Sequence, residues 1–168
     1  EQIAEMLLFG QQGRAEVENL YARAVNARLD LAAGSSLTAL SSVAADLGYT
    51  ATFGALLGGH TLRLLDESLS LDAAALAQEL AEAPVTMLKI VPSHLRALLA
   101  AQPAGWLPPV LVLGGERLER TLVNQIRQSR ADCRIFNHYG PTETTVGVLC
   151  GEVTDEDEDI SLGPPLNG

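Results

Sequence analysis

The nine residues Asn137-His138-Tyr139-Gly140-Pro141-Thr142-Glu143-Thr144-Thr145 bring several different chemical groups together. Gly140-Pro141 forces a tight turn, and the turn gathers three threonine hydroxyls and the Glu143 carboxylate at one place. A threonine hydroxyl donates to a phosphate oxygen, and a glutamate holds Mg²⁺, which neutralises phosphate charge during transfer. Tyr139 offers a flat face on which a purine ring can stack. The same threonines would equally cap an ordinary turn, so the loop by itself leaves both readings open. Two more features stand out: Lys89, the only lysine among 11 basic residues, and the run Gly114-Gly115-Glu116.

Strand-like and helix-like stretches alternate from about residue 36. Leu37 to Val43 reads as a buried strand after the Gly34-Ser35-Ser36 turn. Thr50 to Leu57 reads as a helix stopped by Gly58-Gly59, and His60 to Leu65 as a short strand. Ser70 is placed to cap the next helix, with Asp72 favourable in its first turn and Ala73, Leu76 and Leu80 on one face. Pro84 ends that helix, and Val85 to Val91 is a strand. Ser93 is placed to cap a helix with the stripe Leu95, Leu98 and Leu99. After a Pro-rich turn come a strand at Val110 to Leu113, a helix marked by Leu118, Leu122 and Ile126, a strand at Cys133 to Phe136, and a further one at Thr145 to Cys150.

This βαβα alternation predicts an α/β fold with a mainly parallel, doubly wound sheet. Ligands of such sheets bind beyond the carboxyl ends of the strands. Lys89, Gly114-Gly115-Glu116 and the 137–143 run all fall at predicted strand ends, and that shared position makes a site there. Residues 1–36 read as a separate helical N-terminal segment with Val17, Leu20, Tyr21 and Ala24 on one face. Residues 37–168 read as the α/β unit, cut short at the loop-like Gly163-Pro164-Pro165-Leu166-Asn167-Gly168.

Composition excludes several classes. At 168 residues the chain suits one ordinary domain, and a 47% apolar content with only 4% aromatics implies a core of Leu, Ala and Val. The net charge is −10, and six of the acids are Glu152 and the run from Asp155 to Asp159, which reads as a solvated loop. No basic stripe suggests nucleic acid, and no apolar run approaches the roughly 20 residues of a membrane span. The acidic N-terminus is unlike a secretory signal. Cys133 and Cys150 have no metal-ligand spacing and form no disulfide framework, so a reducing, cytoplasmic setting is expected.

The Asn-x-Tyr-Gly-Pro-Thr-Glu string resembles a core motif of the adenylation domains of nonribosomal peptide synthetases, within the class of adenylate-forming enzymes that includes acyl-CoA synthetases and luciferases. Gly114-Gly115-Glu116 matches the family's Gly-Gly-Glu. Asp46 followed by Phe53-Gly54-Ala55-Leu56-Leu57 matches the start of its substrate pocket, and Ser161-Leu162-Gly163-Pro164-Pro165 is similar to its Ile-Gly-x-Pro stretch. The resemblance covers roughly residues 15 to 168 and is strong from Asp46 onward. It implies a flavodoxin-like subdomain that uses ATP and Mg²⁺. Tyr139 would stack on adenine, while Gly115, Glu116, Gly140 and the backbone around Asn137 and His138 line the slot. Thr142 would contact the α-phosphate, Glu143 would bind Mg²⁺, and Asp46 would pair with a substrate ammonium. Carrier-protein and condensation domains would be the partners, with phosphopantetheine on the carrier.

The departures are informative. The family's Gly-rich phosphate loop has at best a degraded echo in Gly10-Gln11-Gln12-Gly13-Arg14, without its Ser, Thr or Lys. Ala45 stands where the family has Phe, and Gly48 where it has Ser. The fragment alone is therefore expected to lack complete catalytic equipment. The family's pocket positions fall on Asp46, Leu47, Thr50, Lys89, Val112, Gly114, His138, Val146 and Gly147, a set that resembles the pattern associated with aspartate. Physics points the same way. A carboxylate entering a closed pocket needs a charged or hydrogen-bonding partner, and Lys89 supplies a charge. His138 supplies a donor, or a second charge when protonated. Gly114 and Gly147 leave room, and Leu47 and Val146 supply apolar walls. Lys89 would otherwise snorkel to water, Asp46 would be a helix cap, and His60 and His94 read as structural or surface residues. An acyl-CoA synthetase for another acid, which has no use for Asp46, and a non-catalytic binding remnant are the alternatives.

Overall fold

The computed structural model describes residues 19–40, 48–102, 105–140, 147–154 and 159–166. Its strands are β1 (Ser36–Ala39), β2 (Thr61–Leu62), β3 (Met87–Ile90), β4 (Val110–Gly114), β5 (Arg134–Tyr139) and β6 (Leu149–Glu152). They form one sheet in the order β2-β1-β3-β4-β5-β6. The first five are parallel, and β6 runs antiparallel to β5. The order 2-1-3-4-5 is that of flavodoxin-like sheets, whose switch point lies between β1 and β3.

Helices cover both faces. Helix α1 (19–29) and α2 (Tyr49–Gly58) lie on one side, and α3 (Ala73–Glu82), α4 (Pro92–Ala101) and α5 (Arg120–Ser129) on the other. The period-2 alternation of each strand divides the core accordingly. Leu37, Met87, Val110, Val112 and Phe136 pack with Tyr21, Val25, Leu29, Ala51 and Ala55. Leu88, Ile90, Leu111, Leu113 and Ile135 pack with Leu76, Leu80, Leu95, Leu98, Leu122 and Ile126. Because both faces are covered, β3 and β4 are buried at every position, which explains the unbroken apolar run of β4 and leaves Lys89 as the one charged residue in β3.

Several boundaries differ from expectation for local reasons. The face of α1 is rotated: Tyr21, Ala22, Val25 and Leu29 are buried, Leu20 is half exposed, and Val17 lies outside the described residues. This helix packs into the core that it shares with the sheet. Asp72 rather than Ser70 caps α3, its Oδ1 accepting from the backbone N–H of Ala74 at 3.1 Å and of Ala75 at 3.0 Å. Ser70 ends a 3₁₀ turn (Glu67–Ser70) and donates to the Glu67 carbonyl. Ser93 does not cap α4; the helix starts at Pro92, whose missing N–H costs nothing there. Strands β2 and β3 are shorter than their apolar runs. Strand β5 is longer than Cys133 to Phe136, because Asn137, His138 and Tyr139 pair with β4 or β6. The last strand is Leu149–Glu152 rather than Thr145 to Cys150. The expected strand from Leu37 to Val43 is β1 as far as Ala39, and the Leu40 N–H still bonds the Lys89 carbonyl at 3.0 Å. Its last residues, 41–43, lie outside the described residues.

Candidate functional site

The carboxyl ends of β3, β4 and β5 lie side by side, with Ile90 paired to Leu113, Leu113 to Asn137, and Gly114 to His138. Alternation along β5 sends Phe136 and His138 to the α1–α2 side and Asn137 and Tyr139 to the other. Two groups of predicted site residues are thereby separated by the thickness of the sheet.

On the α1–α2 side Lys89 is fully buried and His138 is 3% exposed. The Lys89 Nζ lies 3.0 Å from His138 Nδ1, His138 Nε2 lies 3.0 Å from the Tyr21 hydroxyl, and that hydroxyl lies 2.8 Å from Thr50 Oγ1. A fully buried lysine does not snorkel to water, and its ammonium needs polar partners. Two glycines make room for the pair. A Cβ at Gly114 would collide with the His138 carbonyl and Lys89 Nζ, and one at Gly147 would collide with the His138 ring. The space above both glycines is therefore occupied by these two side chains. Burial, and then the Lys89 charge, hold the His138 imidazolium pKa down at about 2. His138 is neutral at ordinary pH, so it is not the second charge that the sequence allowed. Burial pushes the Tyr21 phenol well above its ordinary value, so the hydroxyl keeps its proton. Val112 packs in the core beneath this group on the same face. Asp46, Leu47 and Val146 lie outside the described residues.

The other side holds an open cleft of about 660 Å³. Its walls include Gly115, Glu116, Asn137, Tyr139 and Gly140, five of the residues singled out for adenine. Tyr139 is 45% exposed there, and Gly115 takes the left-handed backbone (φ 85°) that a Cβ would disfavour. The Asn137 side chain is turned away to donate to the Ser161 carbonyl at 2.9 Å. The Glu116 carboxylate accepts from the backbone N–H and the hydroxyl of Ser93, at 2.9 and 2.7 Å, and so caps α4 from the β4–α5 loop. Thr142 and Glu143 lie outside the described residues.

Sequence reasoning missed Arg117, Leu118, Asp159, Ile160 and Leu162 in the cleft wall, and Tyr21 in the buried chain. Ile160 was legible only as an apolar residue resuming after the acidic run, Asp159 as part of that run, and Leu162 as part of the Ser161 to Pro165 stretch without a place in the cleft. The Ser161-Leu162-Gly163 segment is held over β6 by a close backbone approach of Gly163 to Gly151, which allows neither a side chain. Burial raises the Cys133 and Cys150 thiols to about 12 and about 11, and both cysteines are free. Among the described residues no cluster of His, Cys, Asp and Glu could hold a metal ion, and no helix is long and apolar enough to cross a membrane.

The family described as AMP-binding enzyme matches residues 15–168. The chain is similar to surfactin synthase subunit 2 of Bacillus subtilis (strain 168), 34% identical over 134 residues that make up 77% of this chain and 4% of that protein. Among solved structures it is similar to VinN in complex with L-aspartate, at 27% identity and a TM-score of 0.69 over 86% of this chain and 37% of that one. It is similar too to holo-PA1221, described as an NRPS protein containing adenylation and PCP domains bound to a vinylsulfonamide inhibitor. The identity there is 28% and the TM-score 0.68, over 80% of this chain and 24% of that one. The chain thus spans a small fraction of the synthase and about a third of VinN.

Proposed function

The chain belongs to the AMP-binding enzyme family, on the side of the nonribosomal peptide synthetase adenylation domains, and from that premise we propose that the protein carrying it activates aspartate. The α-carboxylate oxygen of aspartate attacks the α-phosphorus of ATP, the bond to the bridging oxygen of pyrophosphate breaks, and aspartyl-AMP and pyrophosphate form. A phosphopantetheine thiol on a carrier domain then attacks the acyl carbon, losing its proton and releasing AMP. PA1221, described as containing adenylation and PCP domains, supports that carrier partner, and a condensation domain would use the loaded thioester.

The observation that carries the aspartate reading is the fully buried Lys89 ammonium set against a neutral His138 at 3.0 Å. Such an ammonium can donate a charge-assisted hydrogen bond, and the side-chain carboxylate of aspartate is a matching acceptor for it. VinN, solved with L-aspartate, supports the same choice. In this reading Thr50, Val112, Gly114 and Gly147 shape the acid side, with Asp46, Leu47 and Val146 from the undescribed segments. Asp46 takes the α-ammonium. Tyr139, Gly115, Glu116, Gly140 and the backbone at Asn137 and His138 form the adenine slot, and Thr142 meets the α-phosphate. Mg²⁺, held by Glu143, would supply charge neutralisation to the phosphates.

The test is ATP–pyrophosphate exchange by the protein that carries this segment, with each of the common amino acids. Aspartate is expected to give the strongest exchange. Charge-assisted bonds contribute about 1.5–3 kcal/mol, so Lys89→Met should lower aspartate-dependent kcat/KM by roughly ten- to a hundredfold. No stimulation by aspartate, or a stronger response to an apolar amino acid, defeats the assignment.

A further inference from the structure

We propose that Tyr21 is a positioning residue for the acid-binding end of the pocket: its hydroxyl accepts from His138 Nε2 and so holds the tautomer and ring plane that the Lys89 ammonium selects, and through that ring the place of the ammonium itself. Tyr21 sits on α1, outside every motif that marks the site, and meets His138 across 117 positions of sequence. The kinetic consequence drawn below rests on the aspartate reading, whereas the tautomer does not.

The direction of each bond in the buried chain follows from one group. An ammonium only donates, so the Lys89 Nζ at 3.0 Å makes His138 Nδ1 an acceptor. A neutral imidazole carries one N–H, which must then be on Nε2. Nε2 donates to the Tyr21 oxygen at 3.0 Å, and the hydroxyl passes its own hydrogen to Thr50 Oγ1 at 2.8 Å. The opposite tautomer would set an N–H against the buried ammonium. All four side chains are buried, at 7% exposure or less. The ring has little freedom to choose another plane. Gly147 leaves just the space that it fills, and the Tyr21 ring lies against it at 6.2 Å and 59°. Remove the hydroxyl and the Nε2–H is buried without this acceptor, which disfavours that tautomer and weakens the bond from the lysine to Nδ1. A displaced ammonium would then discriminate less well between a carboxylate and an amide.

Two measurements test this. The first is the ¹⁵N–¹H long-range spectrum of the His138 ring in the 168-residue chain at neutral pH. The expected result is an Nε2–H tautomer with an unprotonated Nδ1, and in Tyr21→Phe a mixture of tautomers. A merely packed tyrosine would leave that signature unchanged. An Nδ1–H or doubly protonated ring in the unaltered chain overturns the proposal, as does a Tyr21→Phe spectrum identical to it. Should Tyr21→Phe not fold, Thr50→Val, which removes the acceptor of the Tyr21 hydroxyl hydrogen, should shift the tautomer in the same direction, and an unshifted spectrum overturns the proposal. The second is exchange kinetics with aspartate and asparagine on the protein that carries the segment. Loss of one hydrogen bond of about 1 kcal/mol corresponds to about fivefold. Tyr21→Phe should narrow the aspartate-to-asparagine preference by about that factor through the KM of aspartate, with the KM of ATP unmoved. An unchanged preference overturns the proposal. Absence of any aspartate-dependent exchange in the unaltered protein defeats the aspartate reading instead, and the spectrum still decides the role of Tyr21.

Discussion

Burial, and then the neighbouring Lys89 charge, move His138 from an ordinary 6.5 to about 2, and that displacement has a consequence for stability. Between those two values the unfolded chain binds more protons than the folded one, so stability rises with pH across the window. The contribution is complete above about pH 6.5 and is lost as the pH falls toward 2, at up to about 1.4 kcal/mol per pH unit. Urea midpoints measured from pH 7 to pH 4 should therefore fall more steeply for the unaltered chain than for His138→Gln. Parallel curves would mean that the ring is not held neutral by its surroundings. Residue-scale chemistry was partly legible beforehand. A lone lysine at a strand end and a histidine inside a motif were visible, each as a partner for an incoming carboxylate; that they bond each other was not. Nor was Tyr21. Its hydroxyl acts across the fold rather than along the chain, and the apolar spacing around it set the face of α1 one position away.

Helix ends show the same limit at the next scale. Serine before an apolar run is a sound cap signal, yet Ser70 and Ser93 are both displaced from that duty. Asp72, two residues on, captures the α3 N–H groups, and Pro92 starts α4 by itself, leaving Ser93 in the first turn. The cap of α4 comes instead from Glu116, 23 residues away and two beyond the end of β4. No local pattern announces such a cap. It clamps the Gly114-Gly115-Glu116 turn against a neighbouring helix and so fixes one wall of the cleft. Glu116→Ala should cost about 1 kcal/mol, the usual cost of losing a cap, read as a fall in the urea midpoint. Combined with Ser93→Ala it should cost less than the two separate losses together. Full additivity would show that the carboxylate does not hold the helix. Strand lengths were overestimated in β2 and β3 because apolar residues continue into the turns that close the core. Strand existence and order of appearance were legible throughout, because parallel strands buried on both faces carry a strong apolar signal.

At the scale of the molecule, the sheet is a partition. His138 and Tyr139 are neighbours in sequence, yet β5 turns one toward α1 and α2 and the other toward the cleft. The buried Lys89–His138–Tyr21 chain and the open cleft are thus built on opposite faces of one sheet, near the same carboxyl edge. There, Gly114 and Gly115 keep side chains out of the way. On the function proposed above, that arrangement would separate recognition of the amino acid from recognition of ATP, since the core between them is close-packed. Tyr139→Ala should raise the KM of ATP by roughly three- to tenfold, the worth of an aromatic stack, without reordering the preference among amino acids. Lys89→Met should reorder that preference without moving the KM of ATP. The double variant should show the two effects added to within about 0.5 kcal/mol, as expected of independent sites. A shift in nucleotide affinity on removing the lysine, or a new amino-acid preference on removing the tyrosine, would mean that the sheet transmits what its alternation is expected to keep apart.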